Sequence, residues 1–228
     1  RSPPSNQFVS DRFLEILLSE GLITPNSIQP AQIHLTREEQ ERAKENLDLS
    51  KPIVVLCPDA GMRIKRWSEA NFVQLGRALQ EKFGAAIAVL VGSNFYQSET
   101  IANNISSNAK LWHLETLREL AAILSHATLM IAPDTGPARI AAAVSTPTIT
   151  LFGASWHERY GQPEPHINLQ GYPACPERRI ENFTTQSCWY SGTCPIKDWA
   201  TCVDEISIDR VMAAAAKLLE AQSNLLML

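Results

Sequence analysis

Residues 133–153, PDTGPARIAAAVSTPTITLFG, constrain the fold of this chain more than any other stretch. An apolar run, Leu129 to Ala132, leads straight into Asp134-Thr135-Gly136. A small-residue run, Ala138 to Val144, reads as a helix, and a second apolar run, Thr148 to Phe152, stops at Gly153. Strand, tight polar turn, helix, strand is the unit that sets backbone N–H groups at a helix N-terminus, where the dipole favours an anion, most often phosphate. Asp134 and Thr135 are candidate caps, and Pro137 suits the first turn, where a missing N–H costs nothing. The run Ala141-Ala142-Ala143 would let the helix lie close to a sheet.

The same alternation extends upstream. Ile53 to Cys57 is a continuous apolar run, as expected of a strand covered on both faces. A loop, Pro58 to Trp67, follows, and Ser68 caps a helix with Phe72, Leu75, Leu79 and Phe83 on one side and Gly84 at its end. Ala86 to Val91 is the next strand, Gln97 to Ile105 a helix, and Leu111 to Leu114 a weak strand. Thr116-Leu117-Arg118-Glu119 is a capping box opening a helix to about His126. Alternating strands and helices with short connections predict parallel βαβ units, whose ligands bind beyond the carboxyl ends of the strands. The loops after the strands are therefore where function is expected.

Before this region, residues 1–10 read as linker, Asp11 to Glu20 as an amphipathic helix, and Thr36-Arg37-Glu38-Glu39 as a second capping box. After it, residues 154–205 are rich in Pro, Cys, Trp and Tyr and show little periodicity, and a helix from Ser207 closes the chain. The expected organisation is residues 1–50 as linker and helices, then 51–228 as a Rossmann-like domain carrying the irregular segment 154–205. The chain has 228 residues, 45% of them hydrophobic and 19% charged, enough for an ordinary core. A net charge of -4 and no basic stripe argue against nucleic acid. No apolar run is long enough to span a bilayer. The start, Arg1-Ser2-Pro3-Pro4, has neither an initiator Met nor an apolar leader, as expected of an internal or processed piece.

Lys65-Arg66-Trp67 places two cations in the loop after the first α/β strand, where they could pair with a diphosphate or simply be solvated. Asp134 could accept from a sugar hydroxyl or act only as a cap; the Thr135 hydroxyl and the N–H groups after it suit phosphate, and Arg139 lies one turn on. The five histidines show no metal-ligand spacing. Cys57 reads as a buried strand residue. Cys175, Cys188, Cys194 and Cys202 allow free thiols, two disulfides or a zinc site, although the paired CxxC spacing of structural zinc is missing. There is no GxGxxG and no GxxxxGK[ST].

Pro58-Asp59-Ala60-Gly61, Lys65-Arg66-Trp67, Asp134-Thr135-Gly136-Pro137, Ala141-Ala142-Ala143, Pro147 and Leu151-Phe152-Gly153 together resemble glycosyltransferase family 9, the ADP-heptose:lipopolysaccharide heptosyltransferases. The resemblance spans about residues 52–154 and implies a GT-B architecture, with this chain as the C-terminal, nucleotide-sugar-binding half. It implies inverting, metal-independent transfer from a nucleoside diphosphate sugar, ADP-heptose in the family, to a glycan or lipid-glycan acceptor. It places the acceptor site and the catalytic base in an N-terminal domain that this chain lacks, and the enzyme in the cytoplasm at the inner membrane. By the same resemblance the donor-binding residues are Lys65, Arg66, Asp134, Thr135, Gly136, Pro137 and Arg139. Three positions depart from the family pattern. Arg139 replaces a His, Pro58-Asp59-Ala60-Gly61 replaces Pro-Gly-Ala-Ser/Thr, and the acid expected to bind ribose has only Glu99 nearby, with Tyr96 or Gln97 in its place. A non-catalytic nucleotide-binding scaffold and a GT-B-type epimerase are the alternative readings.

Overall fold

A computed structural model describes residues 6–45, 47–182, 185–197 and 200–225. The leading segment holds α1 (Val9–Ser19) and α2 (Arg37–Lys44). Then come β1 (Ile53–Leu56), α3 (Glu69–Phe83), β2 (Ala86–Leu90), α4 (Phe95–Ile105), β3 (Lys110–Trp112) and α5 (Leu117–Leu124). They are followed by β4 (Leu129–Pro133), α6 (Gly136–Ala143), β5 (Thr148–Phe152), α7 (His157–Tyr160) and β6 (Ile167–Gln170). The chain ends with two short helices, α8 (Ser187–Ser191) and α9 (Thr201–Asp204), and the long α10 (Ile208–Leu225).

The six strands form one sheet in the order β3-β2-β1-β4-β5-β6, parallel throughout. The chain winds outward from β1 to β3, crosses back through α5, and winds the other way from β4 to β6. The order therefore reverses between β1 and β4, which pair from Val54↔Leu129 to Leu56↔Ile131. Alternation along each strand divides the core into two layers. Val54, Leu56, Ile87, Val89, Leu129 and Ile131 face α3, α4 and α10, while Ile53, Val55, Ala88, Leu90, Met130 and Ala132 face α5 and α6. That two-sided burial is why the strands read as unbroken apolar runs. On α6, Ala138 and Ala141 are the buried positions, so small residues meet the sheet only once per turn.

Local signals hold where a cap decides the boundary. The Ser68 Oγ accepts from Asn71 N, Thr36 and Thr116 form capping boxes with Glu39 and Glu119, and Gly84 ends α3 at φ 62°. Other boundaries move. Asn94 caps α4, so that helix starts at Phe95 rather than Gln97. The weak strand is Lys110–Trp112 rather than Leu111–Leu114. β6 lies inside the segment expected to be irregular; it is an edge strand of four residues that exists by pairing with β5, from Ile149↔Ile167 to Phe152↔Gln170. The leading segment touches the domain through α2, which packs on α5: the Arg118 guanidinium pairs with the Glu39 carboxylate and donates to the His34 carbonyl (3.0 Å). The α1 helix buries no residue, and Phe13 and Leu22 are exposed.

Candidate donor-binding site

The loop after β1 is anchored before it reaches the site. Trp67 is buried, donates from Nε1 to the Ile206 carbonyl (3.0 Å) and meets Phe72 edge to face. Arg66 turns back into the loop, with Nε donating to the Ala60 carbonyl (3.0 Å) and Nη2 pairing with Asp59 Oδ1 (2.8 Å). The other carboxylate oxygen of Asp59 accepts from the Ser93 backbone N–H (2.5 Å) and hydroxyl (2.7 Å). Asp59 thus ties the loop after β1 to the loop after β2. Burial opposes its ionisation, but the Ser93 bonds and Arg66 outweigh that and hold the carboxyl below the usual range. Gly92 is required here, because a Cβ would sit 2.3 Å from the Asp59 side chain. The carboxylate that this loop carries in place of the family's glycine is thus neutralised by Arg66.

Lys65 ends a single 3-10 turn, Arg63–Lys65, and reaches across the point where the strand order reverses. Its Nζ donates to Asp134 Oδ2 at 2.9 Å, with side chains 15% and 12% exposed. Asp134 follows β4. The same Oδ2 accepts from the Ser155 hydroxyl (2.8 Å), and Oδ1 pairs with Arg139 Nη2 (3.2 Å). Burial would raise the Asp134 pKa; Lys65, Ser155 and Arg139 overcome it and keep the carboxylate ionised below the usual range. Asp134 is therefore not the cap of α6. Thr135 occupies that position, and its hydroxyl makes no capping bond. Gly136 is exposed, and Pro137 stands in the first turn. The first N–H groups of α6 thus open beside an unengaged hydroxyl and an ammonium, the arrangement that favours an anion.

Of the residues expected at the site, Lys65, Asp134, Thr135, Gly136, Pro137 and Arg139 come together. Arg66 does not join them. Arg139 is held in place: besides Asp134 it donates to the carbonyls of Tyr160 and Gly161 at the end of α7. On α4, Gln97 is engaged with Glu69 (2.7 Å) and Tyr96 is exposed. Two contacts were not foreseen. Ser155 braces Asp134, and the Trp189 ring on α8 lies 4.7 Å from Lys65 Nζ. The first could have been suspected because Ser155 lies in a loop following a strand. The second carries no local signal.

All five cysteines are free. Cys175, Cys188, Cys194 and Cys202 line one cavity of about 20 Å³ together with Ile64 and Ala154, the chain neighbours of Lys65 and Ser155. Burial pushes the Cys202 thiol up to about 12. Among the described residues no group of three or more His, Cys, Asp or Glu side chains is arranged to hold a metal ion.

A doubly wound parallel sheet with an anion-favouring cluster at its switch point is the architecture of nucleotide-handling α/β proteins. Residues 6–185 match glycosyltransferase family 9 (heptosyltransferase), and the chain belongs to that family. It is 33% identical over 140 residues to lipopolysaccharide heptosyltransferase 3 of Escherichia coli, an alignment covering 59% of this chain and 39% of that protein. The chain thus spans well under half the length of this curated relative. Its fold is shared with the glycosyl transferase family 9 structure from Veillonella parvula DSM 2008, at a TM-score of 0.79 and 19% identity, covering 97% of this chain and 62% of that one. The E. coli ADP-heptose lps heptosyltransferase II superposes at 0.68 and 15% identity, covering 88% and 56%. TibC from enterotoxigenic E. coli H10407, described as an iron-containing dodecameric glycosyltransferase, does so at 0.58 and 16%, covering 85% and 49%. These neighbours are glycosyltransferases of the GT-B type, and this chain has the Rossmann-like fold of one half of them.

Proposed function

We propose that this chain is the donor-binding part of a heptosyltransferase-like enzyme that takes its sugar from a nucleoside diphosphate sugar. The carrying observation is the placement of Lys65 and the α6 N-terminus on either side of the switch point, with Asp134 between them. The donor diphosphate would lie over the Thr135 hydroxyl and the N–H groups at Gly136, with Pro137 shaping that turn. Lys65 would balance its charge, and Asp134, held ionised, would accept from a sugar hydroxyl. An acceptor hydroxyl, deprotonated by a base outside this chain, would attack the anomeric carbon; the bond to the diphosphate breaks and configuration inverts. Lys65 and the helix terminus would stabilise the charge that develops on the leaving diphosphate. Those two groups supply positive charge without a metal, so we read the transfer as metal-independent. Arg139, pinned by two carbonyls, serves in this reading to hold Asp134 rather than to grip phosphate. Arg66 serves the loop.

ADP-heptose is the donor this reading favours, because the E. coli neighbour is named for it, and a lipopolysaccharide-type glycan on the cytoplasmic side of the membrane is the acceptor class. Among the described residues no helix is long and apolar enough to cross a membrane. Calorimetry with ADP, UDP and GDP, each with and without EDTA, tests the reading. Preferred binding of ADP, unchanged by EDTA and weakened about tenfold by Lys65→Ala, is the expected result. Absence of binding by all three diphosphates would overturn it.

A further inference from the structure

The segment after β5 braces Asp134 through Ser155 and holds Arg139 through the Tyr160 and Gly161 carbonyls, and farther along it delivers an aromatic face to Lys65. Lys65 Nζ lies 2.9 Å from the Asp134 carboxylate and over the Trp189 ring, 4.7 Å from its centroid. A lysine side chain is a four-carbon stem with a rotatable ammonium, and it loses its advantage as a phosphate ligand if it swings free. Asp134 alone cannot hold it through a catalytic cycle, because an incoming diphosphate competes with that carboxylate for the same ammonium. An aromatic face attracts the cation without competing for its hydrogen-bond directions.

Trp189 is itself held. It packs, half-buried, against the larger core layer. Its neighbour Cys188 is buried in the thiol-lined cavity, whose wall includes Ile64, adjacent to Lys65, and Ala154, adjacent to Ser155. Gln186, at the start of α8, donates from Nε2 to the Ala154 carbonyl (3.0 Å) and accepts from the Arg179 N–H (2.9 Å). The short α8 is therefore fastened to the same two loops that carry Lys65 and Ser155.

We propose that Trp189 is a positioning residue for the donor diphosphate, acting through Lys65: its ring keeps the ammonium over the α6 N-terminus when the diphosphate displaces it from Asp134. The proposal rests on the donor-binding reading above. The test measures ADP affinity by calorimetry, and melting temperature, for the 228-residue protein and four variants: Lys65→Ala, Trp189→Leu, Trp189→Phe, and Lys65→Ala with Trp189→Leu. Trp189→Leu should weaken ADP binding about three- to tenfold, and Trp189→Phe should restore most of it. In the Lys65→Ala background the Leu substitution should change affinity less than about twofold, because the group it acts through is gone. A similar loss in both backgrounds, or no rescue by Phe, would assign Trp189 a packing role and overturn the inference. If Trp189→Leu does not fold, Trp189→Phe carries the test: affinity near that of the parent supports the cation–ring contact, and an equal fall in affinity and melting temperature refutes it. Parent protein that binds ADP and weakens with Lys65→Ala but not with Trp189→Leu would sink this inference alone. Parent protein that binds no diphosphate would sink the donor-binding reading, and this one with it.

Discussion

The half of the molecule from β1 to β5 and the segment from Gly153 to Ile206 solve the problem of holding a site in opposite ways. In the first, each site residue is placed by a repeating device: an apolar strand stops, a polar turn follows, and a helix starts on the sheet. Asp134 is where it is because β4 is buried on both faces and cannot end elsewhere. In the second, regular structure among the described residues is limited to β6 and one-turn helices, and position is set by single side chains fitted to single partners. Gln170 Nε2 donates to the carbonyls of Phe152, Gly153 and Gly171, and Arg178 donates to those of Tyr172 and Gly153. The regular half can tolerate change between its strand ends, whereas the irregular segment depends on each of its fitted contacts.

That contrast should break most clearly at two glycines. Gly171 follows β6, and a Cβ there would lie 1.8 Å from the Cys202 carbonyl oxygen. Backbone cannot yield as a side-chain tip can, so Gly171→Ala should destabilise by about 3 kcal/mol. Urea denaturation would read this, and a loss below about 1 kcal/mol would show that the segment is looser than its contacts imply. The next effect is in the regular half. Asp134→Asn removes the countercharge of Lys65 and Arg139 while keeping the shape. A fully buried pair broken this way costs about 3–5 kcal/mol, and the residual exposure of these side chains lowers the expectation to about 2 kcal/mol. Adding Lys65→Ala should recover part of that loss; a strictly additive double variant would deny that the two residues are coupled.

Much of this difference was visible in the sequence. Caps at Thr36, Ser68 and Thr116 and the stop at Gly84 are local chemistry, and helices begin and end where those residues say. The switch-point site was legible because Asp134-Thr135-Gly136-Pro137 sits between two apolar runs. Where the reading went astray, a distant partner had decided the matter. Asp134 reads as a cap or as an acceptor from a sugar hydroxyl; the cap reading fails because its carboxylate pairs with Lys65, 69 positions away. Arg66 reads as a donor-binding cation but is paired with Asp59 in a loop brace. β6 has too few residues to declare itself and needs β5 beside it. The four clustered cysteines allowed free thiols, two disulfides or a zinc site; the spacing alone could not choose, and the fold sets them as free thiols around a small cavity.

Acid should separate the two halves further. Asp134 and Asp59 have carboxyls held below the ordinary range in the folded state, so the unfolded chain binds protons first as pH falls. The stability they contribute is complete above the ordinary carboxylate range and is lost as pH falls through it towards their folded values. Both lie in loops of the regular half. Stability measured from pH 7 downward should therefore fall less steeply for Asp134→Asn than for the parent, whereas Gly171→Ala should shift the whole curve down without changing its slope. Parallel curves for parent and Asp134→Asn would mean that the ion pair with Lys65 does not form in solution.

The smallest expected effect on stability is the sharpest on function. Gly136 opens α6, its φ is not positive, and a Cβ there would meet nothing within 4 Å. Gly136→Ala should leave the melting temperature within about 1 °C, because an exposed substitution in open space at a helix start changes stability by under about 0.5 kcal/mol. The open space is nevertheless where a diphosphate must approach the first N–H groups of the helix, and a methyl there stands between phosphate oxygens and their donors. ADP affinity should fall at least about fivefold. Gly171→Ala and Gly136→Ala then form a crossed pair: one lowers stability through a contact already made, the other lowers binding through a contact the ligand has yet to make. An unchanged affinity for Gly136→Ala would move the diphosphate away from α6, leaving Lys65 and Arg139 as a structural clamp on Asp134 and taking the donor-binding reading down with it.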